Sequence, residues 1–171
     1  MIDQNIFFAI HNLSGDNNFL DQLGLFFADH LLYVMVGFVI LVWIFKDWNL
    51  RSNANLALAT LVASRLVIVE IMKRVFARPR PFEALSEVQP LILDEDSLRS
   101  FPSGHAVIYF SIAFAFWGTK YFWPLFIAAV LGSVARVFVG VHYPSDVLTS
   151  AIIALLVAWG LRGLFKKPNL S

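Results

Sequence analysis

Leu31-Leu32-Tyr33-Val34-Met35-Val36-Gly37-Phe38-Val39-Ile40-Leu41-Val42-Trp43-Ile44-Phe45 contains neither a charge nor a proline, and it stops at Lys46-Asp47. Taken from Phe19, the run 19–45 exceeds the roughly 20 residues that a helix needs to cross a bilayer. Working outward, four more stretches read the same way: 54–76, 103–119, 121–141 and 145–165, the third only with its polar ends included. The whole chain agrees: of its 171 residues 58% are hydrophobic and 15% charged, and its mean hydropathy is +0.70. This composition belongs to an all-α integral membrane protein, one domain over 1–171, with five transmembrane helices. A net charge of +1 argues against nucleic acid as a partner, and the absence of Cys removes thiolate chemistry and disulfides.

Before the first span, Asp3 to Asn12 place Ile6, Phe7 and Ile10 on one face of a helix too short to span, which predicts a short interfacial helix, a sixth helix if counted. No basic residue precedes it, so the N-terminus is not expected to be cleaved as a signal peptide. The one long connection, 77–101, holds Pro79, Pro81, Pro90 and the acidic run Asp94-Glu95-Asp96; it reads as a lid or as a loop with an interfacial helix. Five alternating spans put Lys46, Arg51, Lys120, Arg162, Lys166 and Lys167 on one side. With the cations that serve a site set aside, this side is cytoplasmic by the positive-inside rule, leaving the N-terminus outside and the C-terminus inside. In a bacterial cell that means the inner membrane with the site on its outer face.

Three clusters stand at the ends of those spans: Lys73 with Arg80-Pro81, then Pro102-Ser103-Gly104-His105, then Arg136 with His142 and Asp146. The alternation of spans brings all three to one face of the membrane. A phosphoryl group in transfer carries charge on three oxygens, and positioned cations and backbone donors stabilise it. Lys73, Arg80 and Arg136 supply cations; Ser103 and Gly104 open a helix whose first N–H groups can bind phosphate oxygens. His142 stands four residues before Asp146, so the carboxylate can hold one ring nitrogen and leave the other as nucleophile. His105, facing the leaving oxygen, is the candidate general acid and then general base. No metal or other cofactor is called for.

In order and spacing, Lys73-x6-Arg80-Pro81, Pro102-Ser103-Gly104-His105 and Arg136-x5-His142-x3-Asp146 resemble the three signature motifs of the type 2 phosphatidic acid phosphatases, a superfamily that includes vanadium haloperoxidases. One position departs: Ala135 stands where the family usually has Ser. The resemblance implies a metal-independent phosphatase with a phosphohistidine on His142, oriented by Asp146, and with His105 as acid and base. Outside the motifs, Ile10-His11-Asn12-Leu13-Ser14 and Asn18-Phe19-Leu20-Asp21 are similar to the N-terminus of the bacitracin-resistance type undecaprenyl diphosphate phosphatases.

Arg65 and Glu70 lie inside the second span and in no motif. Asp29 is the expected partner of Arg65, and Glu70 is expected to reach Arg74 at i+4; a substrate contact for Arg65 is the alternative. Gly118 and Gly132 are expected to permit helix packing. The expected substrate is a lipid phosphate or diphosphate, undecaprenyl diphosphate ahead of phosphatidylglycerol phosphate, phosphatidic acid and the 1-phosphate of lipid A. A non-catalytic lipid-binding or transport protein is the rival from another class. Oligomeric state is left open.

Overall fold

A computed structural model of the chain describes residues 2–92 and 98–165. The acidic run Asp94-Glu95-Asp96 and the pair Lys166-Lys167 therefore lie outside the described residues. Those residues are helical and contain no strand. Helix α1 is Ile2–His11, and α2 (Asn18–Phe45) and α3 (Trp48–Val75) are long and apolar. After the four-residue α4 (Pro81–Ala84) come α5 (Gly104–Ala115), α6 (Phe122–Phe138) and α7 (Pro144–Phe165).

The expectation of five spans meets three helices long and apolar enough to cross a membrane, of 28, 28 and 22 residues. Two shorter apolar helices, of 12 and 17 residues, complete the bundle. Twelve residues rise only about 18 Å, well short of the ~30 Å hydrocarbon layer. Helix α5 is short because it is the core: it packs against α3, α6 and α7, and all its residues except His105 and Ile108 are buried. Its sequence is apolar all round because protein surrounds it. Tyr33, Val34, Leu41, Leu66, Leu148 and Leu156 on the long helices instead face outward and exposed, as a lipid-facing surface requires.

Local chemistry sets the helix ends. Asp47 accepts a hydrogen bond from the Leu50 N–H at 3.2 Å, so α3 starts at Trp48, ahead of the expected Ala54, and takes in the polar residues Asn49, Arg51, Ser52 and Asn53. Two helices widen into π-helical turns, α2 at Phe26–His30 and α3 at Val62–Val69. Gly132 does permit close packing, since a Cβ there would lie 2.7 Å from the Tyr109 ring, but Gly118 has φ +83° and open space around it, making it a turn residue. Ile6 is exposed, whereas Phe7 is buried and packs with Val88, Val137 and Tyr143 at the end of the bundle where the sequence clusters meet.

Candidate active site

Lys73 is in the last turn of α3. Beyond it, Pro79 and Pro81 keep the chain extended, with Arg80 at φ −69° and ψ 159°. Ser103 caps α5, Arg136 is in the last turn of α6, and Asp146 is in the first turn of α7. These ends converge on a cleft of about 390 Å³ lined by Leu32, Arg65, Lys73, Arg80, Gly104, His105, Ile108, Arg136 and His142. Six of the eight residues singled out in the sequence thus line one cavity. Ser103 and Asp146 stand directly behind it, both fully buried.

Arg80 donates from Nη1 to the Val141 carbonyl at 2.9 Å and approaches His142 Nε2 at 3.3 Å. A guanidinium can only donate, so Nε2 presents its lone pair and the ring proton lies on Nδ1. Nδ1 faces Asp146 Oδ2 at 3.5 Å. His142 is pushed down from its ordinary value to about 4, chiefly by burial and further by Arg136 and Arg80, with Asp146 opposing. The ring is therefore neutral near pH 7, as a nucleophile must be.

Asp146 is held on every side. Oδ1 accepts from Arg78 Nη1 at 2.6 Å; Oδ2 accepts from the Ser100 hydroxyl and from the Tyr143 N–H at 2.9 Å. Arg78 stacks over the Tyr143 ring, and its second nitrogen donates to Asp3 Oδ2 at 2.7 Å. Asp3 also accepts from the Ser145 N–H and hydroxyl at 2.9 and 2.6 Å. Burial would raise the Asp3 carboxyl, yet the bonds from Arg78 and Ser145 hold it below its usual range. A chain of charge-assisted bonds thus runs from α1 to the carboxylate behind His142. Sequence reasoning missed Arg78, Ser100 and Asp3. The available signal was Arg78-Pro79-Arg80-Pro81, two guanidinium groups on one stiff segment, one reaching Asp146 and the other His142.

The in-span ion pairs differ from expectation. Asp29 does not meet Arg65: its Oδ1 faces His105 Nε2 at 3.6 Å. Arg65 instead pairs with Glu70, not Glu70 with Arg74. Residues at i and i+5 point apart on an α-helix, and the π-helical turn at Val62–Val69 brings them together. Asp29 likewise sits in the π-helical turn of α2, whose Ala28 carbonyl accepts from Arg136 Nη1 at 3.3 Å. Ala135 packs among Ala28, Phe138, Val139 and Val141, an apolar setting in which a methyl group fits where the family usually carries a hydroxyl.

An all-helical membrane bundle with lysine, arginine and histidine converging on one cleft defines a class, the membrane-embedded phosphatases. Residues 54–169 match the PAP2 superfamily, and the chain belongs to it. It is 32% identical over 160 residues to undecaprenyl-diphosphatase BcrC of Bacillus subtilis (strain 168), covering 92% of this chain and 81% of that protein. Among solved structures, Aquifex aeolicus LpxE superposes with a TM-score of 0.80 at 29% identity over 93% of each chain. A PAP2 type phosphatidylglycerolphosphate phosphatase from Bacillus subtilis shares the fold, with a TM-score of 0.70 at 23% identity over 99% of this chain and 87% of that one. The protein is an integral membrane lipid phosphatase, a hydrolase of the PAP2 superfamily that resembles BcrC.

Proposed function

We propose that this enzyme hydrolyses undecaprenyl diphosphate to the monophosphate through a phosphohistidine on His142. In the first step Nε2 of His142 bonds to the terminal phosphorus as the bond to the bridging oxygen breaks. The departing lipid monophosphate keeps the electron pair and takes a proton from His105. In the second, His105 takes a proton from water, the oxygen attacks the phosphohistidine, and inorganic phosphate leaves with His142 neutral again. Lys73, Arg80 and Arg136 neutralise the equatorial oxygens, and the first N–H groups of α5, opened by Ser103 and Gly104, bind them from the other side. Asp146 fixes the His142 tautomer, and Asp29 gives a protonated His105 its counter-charge. No metal enters the scheme.

The observation that carries this reading is the His142 ring, with its lone pair toward Arg80 and the cleft and its Nδ1 toward Asp146. The substrate choice is supported by the relationship to BcrC. On this proposal five helices cross the inner membrane, α5 within the bundle, and the cleft opens to the outer face with the C-terminus in the cytoplasm. Phosphate release by purified protein, with chelator present, from prenyl diphosphate, phosphatidylglycerol phosphate, phosphatidic acid and lipid A 1-phosphate tests it. Turnover fastest on the diphosphate, and independent of added metal, is expected. A strict requirement for a divalent ion would overturn the mechanism, and preference for a monoester would overturn the substrate.

A further inference from the structure

Arg65 belongs to none of the three motifs, yet it lines the same cleft as His105 and His142. A Cβ built on Gly104 would lie 2.9 Å from Arg65 Nε, so the guanidinium rests against the backbone of the residue preceding His105. A cation at the positive end of a helix is unfavourable unless an anion accompanies it. Glu70 takes one of the five N–H donors of Arg65, and the side chain keeps 28% of its surface open.

The position along the cleft is informative. Arg65 precedes Lys73 by eight residues, roughly 12 Å toward the middle of the membrane along α3. Ile108, one turn of α5 beyond Gly104, and Leu32 give the same cleft an apolar wall. Along α5 the cleft therefore passes from Gly104 and His105, with the Arg65 guanidinium beside them, to the apolar Ile108 one turn further on, while His142, Arg80 and Arg136 line the rest of it. The reaction imposes its own order on a substrate: transferred phosphoryl group, leaving oxygen, remainder of the leaving group, lipid tail.

We infer that Arg65 binds the lipid-linked phosphate that remains after cleavage, and so makes the enzyme selective for lipid diphosphates over lipid monophosphates. This inference rests on the proposed mechanism, which puts the leaving oxygen at His105. When the leaving group is itself a phosphate, its charge grows as the bridging bond breaks, and a guanidinium beside it stabilises the transition state more than the ground state. A monoester leaves as an alcohol and offers Arg65 no anion. The π-helical turn of α3 has a purpose in this arrangement: pairing with Glu70 at i+5 steadies the guanidinium beside α5 when no substrate is bound.

Initial rates on farnesyl diphosphate and farnesyl monophosphate in detergent, for wild type, Arg65→Gln and Arg65→Lys, test the inference. Arg65→Gln is expected to lower the diphosphate-to-monophosphate ratio of kcat/KM by about 30-fold or more, and Arg65→Lys to recover part of it. Thermal melting of each variant identifies any that is misfolded, and Arg65→Lys, the milder change, provides the ratio if Arg65→Gln does not fold. An unchanged ratio in folded protein, whether both rates fall together or neither falls, would overturn the role of Arg65 and leave the proposed function intact. A wild type that releases phosphate from neither lipid would instead overturn the proposed function.

Discussion

The two halves of this chain contribute to the site in different ways. From Gly104 onward, α5, α6 and α7 carry His105, Arg136, His142 and Asp146 at helix ends, with all but His105 buried. The first two long helices bring Asp29 and Arg65, each from a π-helical turn, partly exposed and facing the groups of the other half. Lys73 is the one motif residue on these helices, and it stands at the very end of α3. On the proposed mechanism this is a division of labour: the C-terminal half holds the two histidines, Asp146 and Arg136, and the N-terminal half adds the cations Lys73 and Arg80 and, through Arg65, recognises what lies beyond the transferred phosphate.

Substitutions can break that division. The largest effect belongs to the C-terminal half: Asp146→Asn should lower kcat for phosphate release by about 10³–10⁴-fold, because the wrong His142 tautomer is then favoured. A loss below about tenfold would show that Asp146 only caps α7. His105→Gln should cost about 10²–10⁴-fold. Asp29→Asn, from the other half, should cost about tenfold in wild type and almost nothing in a His105→Gln background, since the two groups act as a unit. Equal losses in both backgrounds would mean that Asp29 acts on something other than His105.

Smaller still is the contribution of α1. Asp3→Ala removes the bonds to Arg78 and Ser145 without touching the cleft, so kcat should fall about three- to tenfold with KM unchanged. A rise in KM alone would place α1 in substrate entry instead. The smallest effect concerns stability against pH. His142 takes up a proton near pH 6.5 when unfolded and near 4 when folded. Between those values the unfolded chain binds more protons, so this residue makes the fold less stable as pH drops from about 6.5 toward 4. His142→Gln should flatten that part of the melting curve against pH, and a slope that persists would assign it to other groups.

Much of this was legible in the sequence, for physical reasons. Apolar runs marked the long helices, and residues of all three clusters do line one cleft, because covalent connectivity leaves little freedom once helices stand side by side. The span count was less legible: among the described residues three helices are long and apolar enough to cross a membrane, and the composition of α5 does not tell a span from a helix enclosed by protein, since both are apolar all round. The π-helical turns left no readable pattern, so Glu70 was paired with Arg74 at i+4 and Asp29 with Arg65 across the two spans, whereas Arg65 pairs with Glu70 and Asp29 faces His105. Ser100 reaches Asp146, and Asp3 reaches Arg78, through tertiary contacts that no local spacing encodes; for Arg78 the only sequence signal was its place in Arg78-Pro79-Arg80-Pro81. The start of α3 was hidden by polar residues that belong to the helix all the same.

The central claim is the covalent intermediate. Protein carrying His105→Gln, mixed with a prenyl diphosphate labelled on the terminal phosphorus and quenched in alkali after milliseconds to seconds, measures it directly. The account predicts labelled protein with the base-stable, acid-labile behaviour of phosphohistidine, and no label when His142 is also replaced by Gln. Label that survives loss of His142, or single-turnover phosphate release without labelled protein at any time, would contradict it.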